Sequence, residues 1–360
     1  MKEQRLARLR ELLHVHELDA FIIFSAESGN RAAIQYLSGF TGSTAVLLVT
    51  RSQQFIIVDS RYFIQAEEES RFTLARVRDR DPWPTIGELI GDSNIKSMGF
   101  EEDRLTVVNY RKLTETVDRV QGISGVLPKL RESKDNEEIE LLRESCRIAS
   151  EAFIALLPKI RPGRTEAQLA ADLAYEIRMQ GAQQMVRGHF VVASGRRGER
   201  PHGVFTEKRI ENGDFITFDF GAVYQGYISD ITRTVAVGSI SAEMEKIYGI
   251  VYETQLNAIA AAKAGMTGAE LDRIARTRIE DAGYGQYFTH SLGHGIGLEL
   301  HELPNLNRYN TAPLPSGSVV SIEPGIYLPG KGGVRIEDDV LLTEAGCEVL
   351  SFAPKDLIVL

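Results

Sequence analysis

The acidic segment at residues 214–234, DFITFDFGAVYQGYISDITRT, constrains this chain most, because the chain carries a counterpart of it a second time. Asp219 interrupts an otherwise apolar strand, and a tight, Gly-flanked turn follows. A reversal around Tyr224-Gln225 sets Asp219 directly opposite Asp230, on one face with Cβ atoms about 4.5–5.5 Å apart. Like charges so placed repel, and buried carboxylates without a partner are costly. A bound cation is the simplest remedy.

The repeat extends beyond the hairpin. RPGRTEAQL at 161–169 matches KAGMTGAEL at 263–271. Each copy has a glycine stop, then a Thr N-cap (Thr165, Thr267) with Gln168 or Glu270 three residues on, a capping-box pattern. Each predicted helix ends at a glycine, Gly181 or Gly283. NGDFITFDFGAVY then matches SGSVVSIEPGIYL, setting Asp219 against Glu323, and the following segment sets Asp230 against Glu337. The expectation is two related α/β halves about a pseudo-two-fold axis, with four carboxylates converging at its centre.

At 360 residues the chain calls for two domains. Residues 1–125 alternate helix with the apolar strands DAFIIF, TAVLLVT and QFIIVD, an α/β pattern. The polar, Pro-marked stretch VLPKLRESKDNEE places the boundary, giving domains 1–127 and 128–360. A helix follows, with Ile139, Leu142, Cys146, Ala149 and Phe153 on one stripe. The net charge of −9 argues against nucleic acid or an anionic membrane as partner. Cys146 and Cys347 read as reduced core thiols of a cytoplasmic protein. Leu6, Leu9 and Leu13 make the charged N-terminus an amphipathic helix rather than a signal segment, and no apolar run reaches membrane-spanning length.

HSLGHGIGLELHELP supplies His290, His294 and His301 among glycines, and four of the seven histidines (with His202) fall near the two hairpins. Taken singly, each residue has an ordinary explanation. Asp219 or Asp230 alone is more often a cap or a salt-bridged strand residue, and Arg335 with Glu337 a plain ion pair. Jointly these explanations fail, because apolar Ile216, Phe218, Ile322 and Ile336 surround all four carboxylates. Four carboxylates and an imidazole suit Mn²⁺, Co²⁺ or Zn²⁺. They exceed what one divalent ion needs, so two bridged ions fit better, and the natural chemistry is hydrolysis of an amide or ester.

At this point DFGAVYQGYISDITRT, HSLGHGIGLELHE, SIEPGIYL and GGVRIEDD resemble the motifs of the pita-bread metallopeptidases. That group includes methionine aminopeptidase, aminopeptidase P and prolidase. YLSGFTGS and DSRY are similar to the creatinase-type N-terminal domain of the last two, so the resemblance covers nearly the whole chain. It implies an α/β (α+β) protein with a creatinase-type domain before a pita-bread domain. It implies a dinuclear site held by Asp219, Asp230, His294, Glu323 and Glu337, the positions of Asp230 and Glu337 bridging and that of Glu323 shuttling the proton. His202 and His301 match histidines that contact substrate or the tetrahedral intermediate, and His290 and Arg335 match supporting positions. The implied activity is hydrolysis of Xaa-Pro bonds by a homodimer. PHG and the chain's length favour a prolidase-like dipeptidase over an aminopeptidase acting on longer peptides. Metal-free creatinase-like hydrolysis, or a binding protein on a retired scaffold, would predict eroded ligands. Two departures touch substrate preference: SGRRGERPHG brings Arg196, Arg197 and Arg200, and His189 precedes the strand FVVAS.

Overall fold

The computed structural model describes residues 2–25, 29–186 and 190–360; His189 lies outside them. The chain divides into two compact units, Met1–Arg131 and Glu132–Leu360.

The first unit is built on six strands: β1 (Ala20–Ser25), β2 (Ala45–Thr50), β3 (Gln54–Val58), β4 (Thr73–Arg76), β5 (Ser97–Glu101) and β6 (Arg119–Ile123). Their order is β4-β3-β2-β1-β5-β6. The first three pair antiparallel, while β4, β5 and β6 join parallel. β2 is buried along its whole length, as its unbroken apolar run requires.

The second unit repeats one device. Helix Asn136–Leu156 packs on helix Glu166–Met179, and helix Ala242–Ala261 packs on helix Gly268–Asp281. Both shorter helices open with a reciprocal capping box, Thr165 with Gln168 and Thr267 with Glu270. Gly181 and Gly283, just past their ends, take φ of 112° and 86°, a left-handed backbone that an L side chain resists. The strands are β7 (Gln184–Met185), β8 (Val191–Ser194), β9 (Phe215–Phe220), β10 (Ala222–Tyr224), β11 (Tyr227–Ile228) and β12 (Ile231–Ala236) in the first half. The second half has β13 (Gly293–Gly295), β14 (Glu302–Leu306), β15 (Val319–Ile322), β16 (Gly325–Leu328), β17 (Gly332–Arg335), β18 (Asp338–Leu342) and β19 (Cys347–Val349). Ile216, Phe218 and Phe220 of β9 bury against Phe153, Leu169 and Leu173 of the first helix pair. Val320 and Ile322 of β15 bury against Ala258, Leu271 and Ala275 of the second. Each hairpin is thus backed by its own helices, leaving its opposite face for polar residues.

The first hairpin corrects the expected pairing. Tyr224 pairs Tyr227, so the two-residue turn is Gln225-Gly226, not Tyr224-Gln225. Both turn residues have positive φ, 47° and 86°, the pattern of a type I′ turn, whose twist matches that of the strands. The Gln183 side chain accepts the Gln225 N–H at 2.8 Å and supports that backbone. Asp219 therefore faces Thr232, and Asp230 lies two residues away along the opposite strand. The ladder breaks at Gly221, where a Cβ would stand 1.7 Å from the Ser229 carbonyl oxygen. In the second hairpin Ile322 pairs Asp338 and Gly325 pairs Arg335, so Glu323 and Glu337 hold facing positions in the break between the two ladders.

Candidate metal centre

The two hairpins meet edge to edge, β12 of the first against β17 and β18 of the second. Thr232 O accepts the Glu337 N–H at 3.1 Å, and the Thr232 hydroxyl donates to Glu337 Oε2 at 2.6 Å. Arg335 spans the junction. Its guanidinium donates to Thr232 Oγ1 at 3.0 Å, to the Tyr327 hydroxyl at 2.8 Å, to the Pro201 carbonyl at 3.1 Å and to Asp219 Oδ2 at 2.5 Å. The bulge-like segment before β12 presents Asp230, whose N–H donates to Asp339 Oδ2 at 2.8 Å.

His294, on β13, completes the group. Its Nδ1 lies 3.0 Å from the Gly295 carbonyl oxygen. A carbonyl only accepts, so Nδ1 carries the proton and Nε2 keeps its lone pair unprotonated. That Nε2 stands 3.7 Å from Asp230 Oδ2 and 3.5 Å from Glu323 Oε1. One ligating atom each from Asp230, His294 and Glu337 falls within 4.8 Å of the others, all three buried. Glu323 joins them through His294, and Asp219 through Arg335.

Without a cation this arrangement is costly. Burial pushes the Asp230 and Glu337 carboxyls well above their ordinary range, and neighbouring carboxylates push them further. Glu337 Oε1 is buried and accepts no hydrogen bond. Such an orphaned oxygen costs on the order of 1–3 kcal/mol or more. Carboxylate oxygens and one imidazole are the donors hard and borderline divalent ions accept, and a divalent charge would reverse the electrostatic cost. The residues fit a metal.

His290 flanks the group. Nδ1 donates to the Ser291 carbonyl at 2.8 Å, so Nε2 accepts from Tyr327 at 2.9 Å. Burial, and then the Arg335 charge, hold its pKa down to about 3. The unfolded chain binds a proton near the ordinary value of about 6.5 that the folded chain refuses. Stability therefore falls as pH drops from about 6.5 towards 3, and His290→Gln should flatten that slope in urea titrations across pH. His301 is exposed, its ring 4.1 Å from that of His294. His202 is exposed beside Pro201, the Arg335 acceptor. Of the three arginines in question, Arg196 is exposed and pairs loosely with Glu199, and Arg200 is exposed. Arg197 is different: it folds back onto buried Glu166.

Sequence reasoning passed over Asp339. It accepts from Asp230 N–H and from the Cys146 thiol at 3.4 Å, and burial lifts its own pKa to about 8. The signal was present: like Asp219, it is an acid inside an apolar strand, DDVLL. Both cysteines are free, although Cys347 is only half-buried.

Residues 140–344 match the model of metallopeptidase family M24, and residues 5–133 match the Creatinase/Prolidase N-terminal domain. The chain belongs to the M24 metallopeptidases and carries that N-terminal domain. Over 360 aligned residues it is 39% identical to an Xaa-Pro dipeptidase of Pyrococcus furiosus, covering 99% of this chain and 100% of that one. Its structure is similar to an Xaa-Pro dipeptidase from Bacillus anthracis, with a TM-score of 0.95 and 41% identity over 100% of both chains. It is also similar to an X-Pro aminopeptidase from Thermotoga maritima, with a TM-score of 0.91 and 42% identity over 96% of this chain and 98% of that one.

Proposed function

We propose that this protein is a metal-dependent exopeptidase that hydrolyses Xaa-Pro bonds in the manner of a prolidase. The observation that carries the reading is the buried convergence of Asp230, His294 and Glu337, with Glu337 Oε1 unsatisfied. Asp219, Asp230, His294, Glu323 and Glu337 would hold two divalent ions, with Mn²⁺ the first choice for so oxygen-rich a set and Co²⁺ or Zn²⁺ the alternatives. When bound, such a pair makes water a nucleophile at neutral pH and polarises the scissile carbonyl.

The side chains do the rest. Glu323, 16% exposed at the edge of the group, takes one proton from the attacking water and gives it to the proline nitrogen as the C–N bond breaks. The water oxygen ends in the new carboxylate, and the second water proton ends on the released proline amine. His301 and His202, both exposed, supply hydrogen bonds to the substrate carbonyl and to the tetrahedral intermediate. Arg335 holds Asp219 in place and keeps its charge balanced. Among the described residues no helix is long and apolar enough to cross a membrane. We place the enzyme in the cytoplasm as a homodimer, without a nucleic-acid partner.

The likeness to the Thermotoga maritima X-Pro aminopeptidase favours a second reading, action on longer peptides. The test compares Xaa-Pro with Xaa-Pro-Xaa peptides under one Mn²⁺ concentration. Cleavage of the dipeptide is the expected result; cleavage of the tripeptide alone selects the aminopeptidase reading. Cleavage of neither, with any of the three metals, overturns the Xaa-Pro assignment.

A further inference from the structure

The loop that carries His202 is tied down at one point by a single carboxylate. Glu166 is fully buried in the first turn of helix Glu166–Met179. Its Oε1 accepts the Ser194 N–H at 2.7 Å and the Ser194 hydroxyl at 2.8 Å. Its Oε2 accepts the Thr206 N–H at 2.9 Å, the Thr206 hydroxyl at 2.8 Å and the Arg197 guanidinium. Ser194 and Thr206 are the two ends of the loop, so one side chain holds both. Burial pushes the Glu166 carboxyl up, but Arg197, Ser194 and Thr206 outweigh it and the net displacement is downward. The group is an ionised carboxylate with its acceptors filled.

Arg197 does more than neutralise it. From Glu166 the guanidinium also donates to the Val204 carbonyl at 2.7 Å, closing a ring of chain around His202. Within that ring the backbone is a run of tight turns: Arg200 N–H to Arg197 O, Gly203 N–H to Arg200 O, and Val204 N–H to His202 O. On its outer side the loop lies against β17. A Cβ on Gly198 would stand 3.1 Å from the Gly333 nitrogen, and one on Gly333 would stand 2.2 Å from the Gly198 oxygen. Arg335 then grips the Pro201 carbonyl, one residue before His202, while its other arm holds Asp219. His202 is thus suspended between two guanidinium contacts, that of Arg197 in the loop with Glu166 of the helix, and that of Arg335 on β17 with the Pro201 carbonyl.

We infer that Arg197, seated on Glu166, is a positioning residue that fixes the His202 imidazole towards the substrate side of the metal centre. The inference rests on the reading that His202 meets the substrate. Arg suits the position because its rigid fork sets one terminal nitrogen on Glu166 and the other on the Val204 carbonyl; the single nitrogen of a lysine would keep the charge on Glu166 paired but hold the Val204 carbonyl less firmly.

The test uses Arg197→Ala, Arg197→Lys, His202→Ala and the double variant Arg197→Ala/His202→Ala, all full-length and metal-loaded. A histidine misplaced by about 1 Å costs on the order of 10²-fold. The expected result is a fall in kcat of that size for Arg197→Ala, a smaller fall for Arg197→Lys, and unchanged metal content. In the His202→Ala background, Arg197→Ala should cost nothing further. A readout independent of turnover is the ¹⁵N-imidazole spectrum of the Zn²⁺-loaded protein. The His202 resonance should shift in Arg197→Lys, which keeps the buried charge paired, while those of His290 and His294 stay. Additive losses in the double variant, or an unmoved His202 resonance, would overturn the inference. If the wild type cleaves no Xaa-Pro peptide, the functional reading fails, and the spectrum still decides whether Arg197 positions His202.

Discussion

Asp230→Ala should empty the metal centre and lower kcat/KM for an Xaa-Pro substrate by far more than the ~10²-fold that loss of an outer hydrogen-bond partner costs. Asp230 offers its oxygen within 4.8 Å of the His294 and Glu337 ligating atoms, so its removal breaks the only such cluster among the described residues. Elemental analysis after dialysis and steady-state kinetics check both parts; retention of two equivalents of metal, or of near wild-type turnover, would sink the proposed site. The metal-free protein should respond in the opposite sense to the milder Asp230→Asn. Burial, Glu337 and Asp219 hold the Asp230 pKa well above its ordinary value. Its folded form therefore keeps a proton that the unfolded chain releases near pH 4. Stability is lost as pH rises through that window, and removing the charge removes the loss. With chelator at pH 7.5, Asp230→Asn should melt above the wild type. With metal at 1,000 times its Kd, the wild type gains about 4 kcal/mol and the order reverses.

The duplication was legible because its signals are local. Thr165 with Gln168 and Thr267 with Glu270 are each read within four residues, and both capping boxes formed. The hairpin register was misread for an equally local reason. Positive φ at Gln225 is disfavoured for a residue with a Cβ, and nothing nearby in sequence reveals that Gln183 supports it. The error did little harm. The true register differs from the expected one by two residues, and side chains alternate with period two, so every residue kept its face. A slip of one would have turned Asp219 into the Phe218 core.

What sequence could not reach is the set of partners contributed from far along the chain. Arg197 looks like surface charge in SGRRGERPHG because its anchor, Glu166, lies 31 residues earlier on a helix that reads as amphipathic. Arg233 sits in a run, ITRTV, that gives no reason to expect a fully buried guanidinium. Its acceptors are the Thr232, Glu337 and Ala353 carbonyls and Asp338, on three different segments. Only the tertiary fold brings them together.

Arg233→Met should therefore be the most destabilising single change considered. Arg233 and Asp338 are each 1% exposed, and their 2.6 Å contact joins β12 of one hairpin to β18 of the other. Asp338 would keep Lys355, Gln255 and Ser351, yet the Ala353 and Glu337 carbonyls would lose the Arg233 donor. Breaking one partner of a buried pair costs about 3–5 kcal/mol. For a unit of this size each kcal/mol moves Tm by roughly 2–4 °C. A drop on the order of 10 °C is expected by calorimetry on the metal-free protein. Lys331→Met is the control. Its contact with Glu243 is just as short, at 2.6 Å, but the two side chains are 55% and 43% exposed, and an exposed pair contributes little to stability. Because Arg233 also holds the Glu337 carbonyl, its loss should loosen that proposed ligand, so metal affinity falls along with Tm. If Arg233→Met and Lys331→Met melt together, the buried network does not hold the two hairpins in register, and the convergence of their carboxylates must come from the helices behind them.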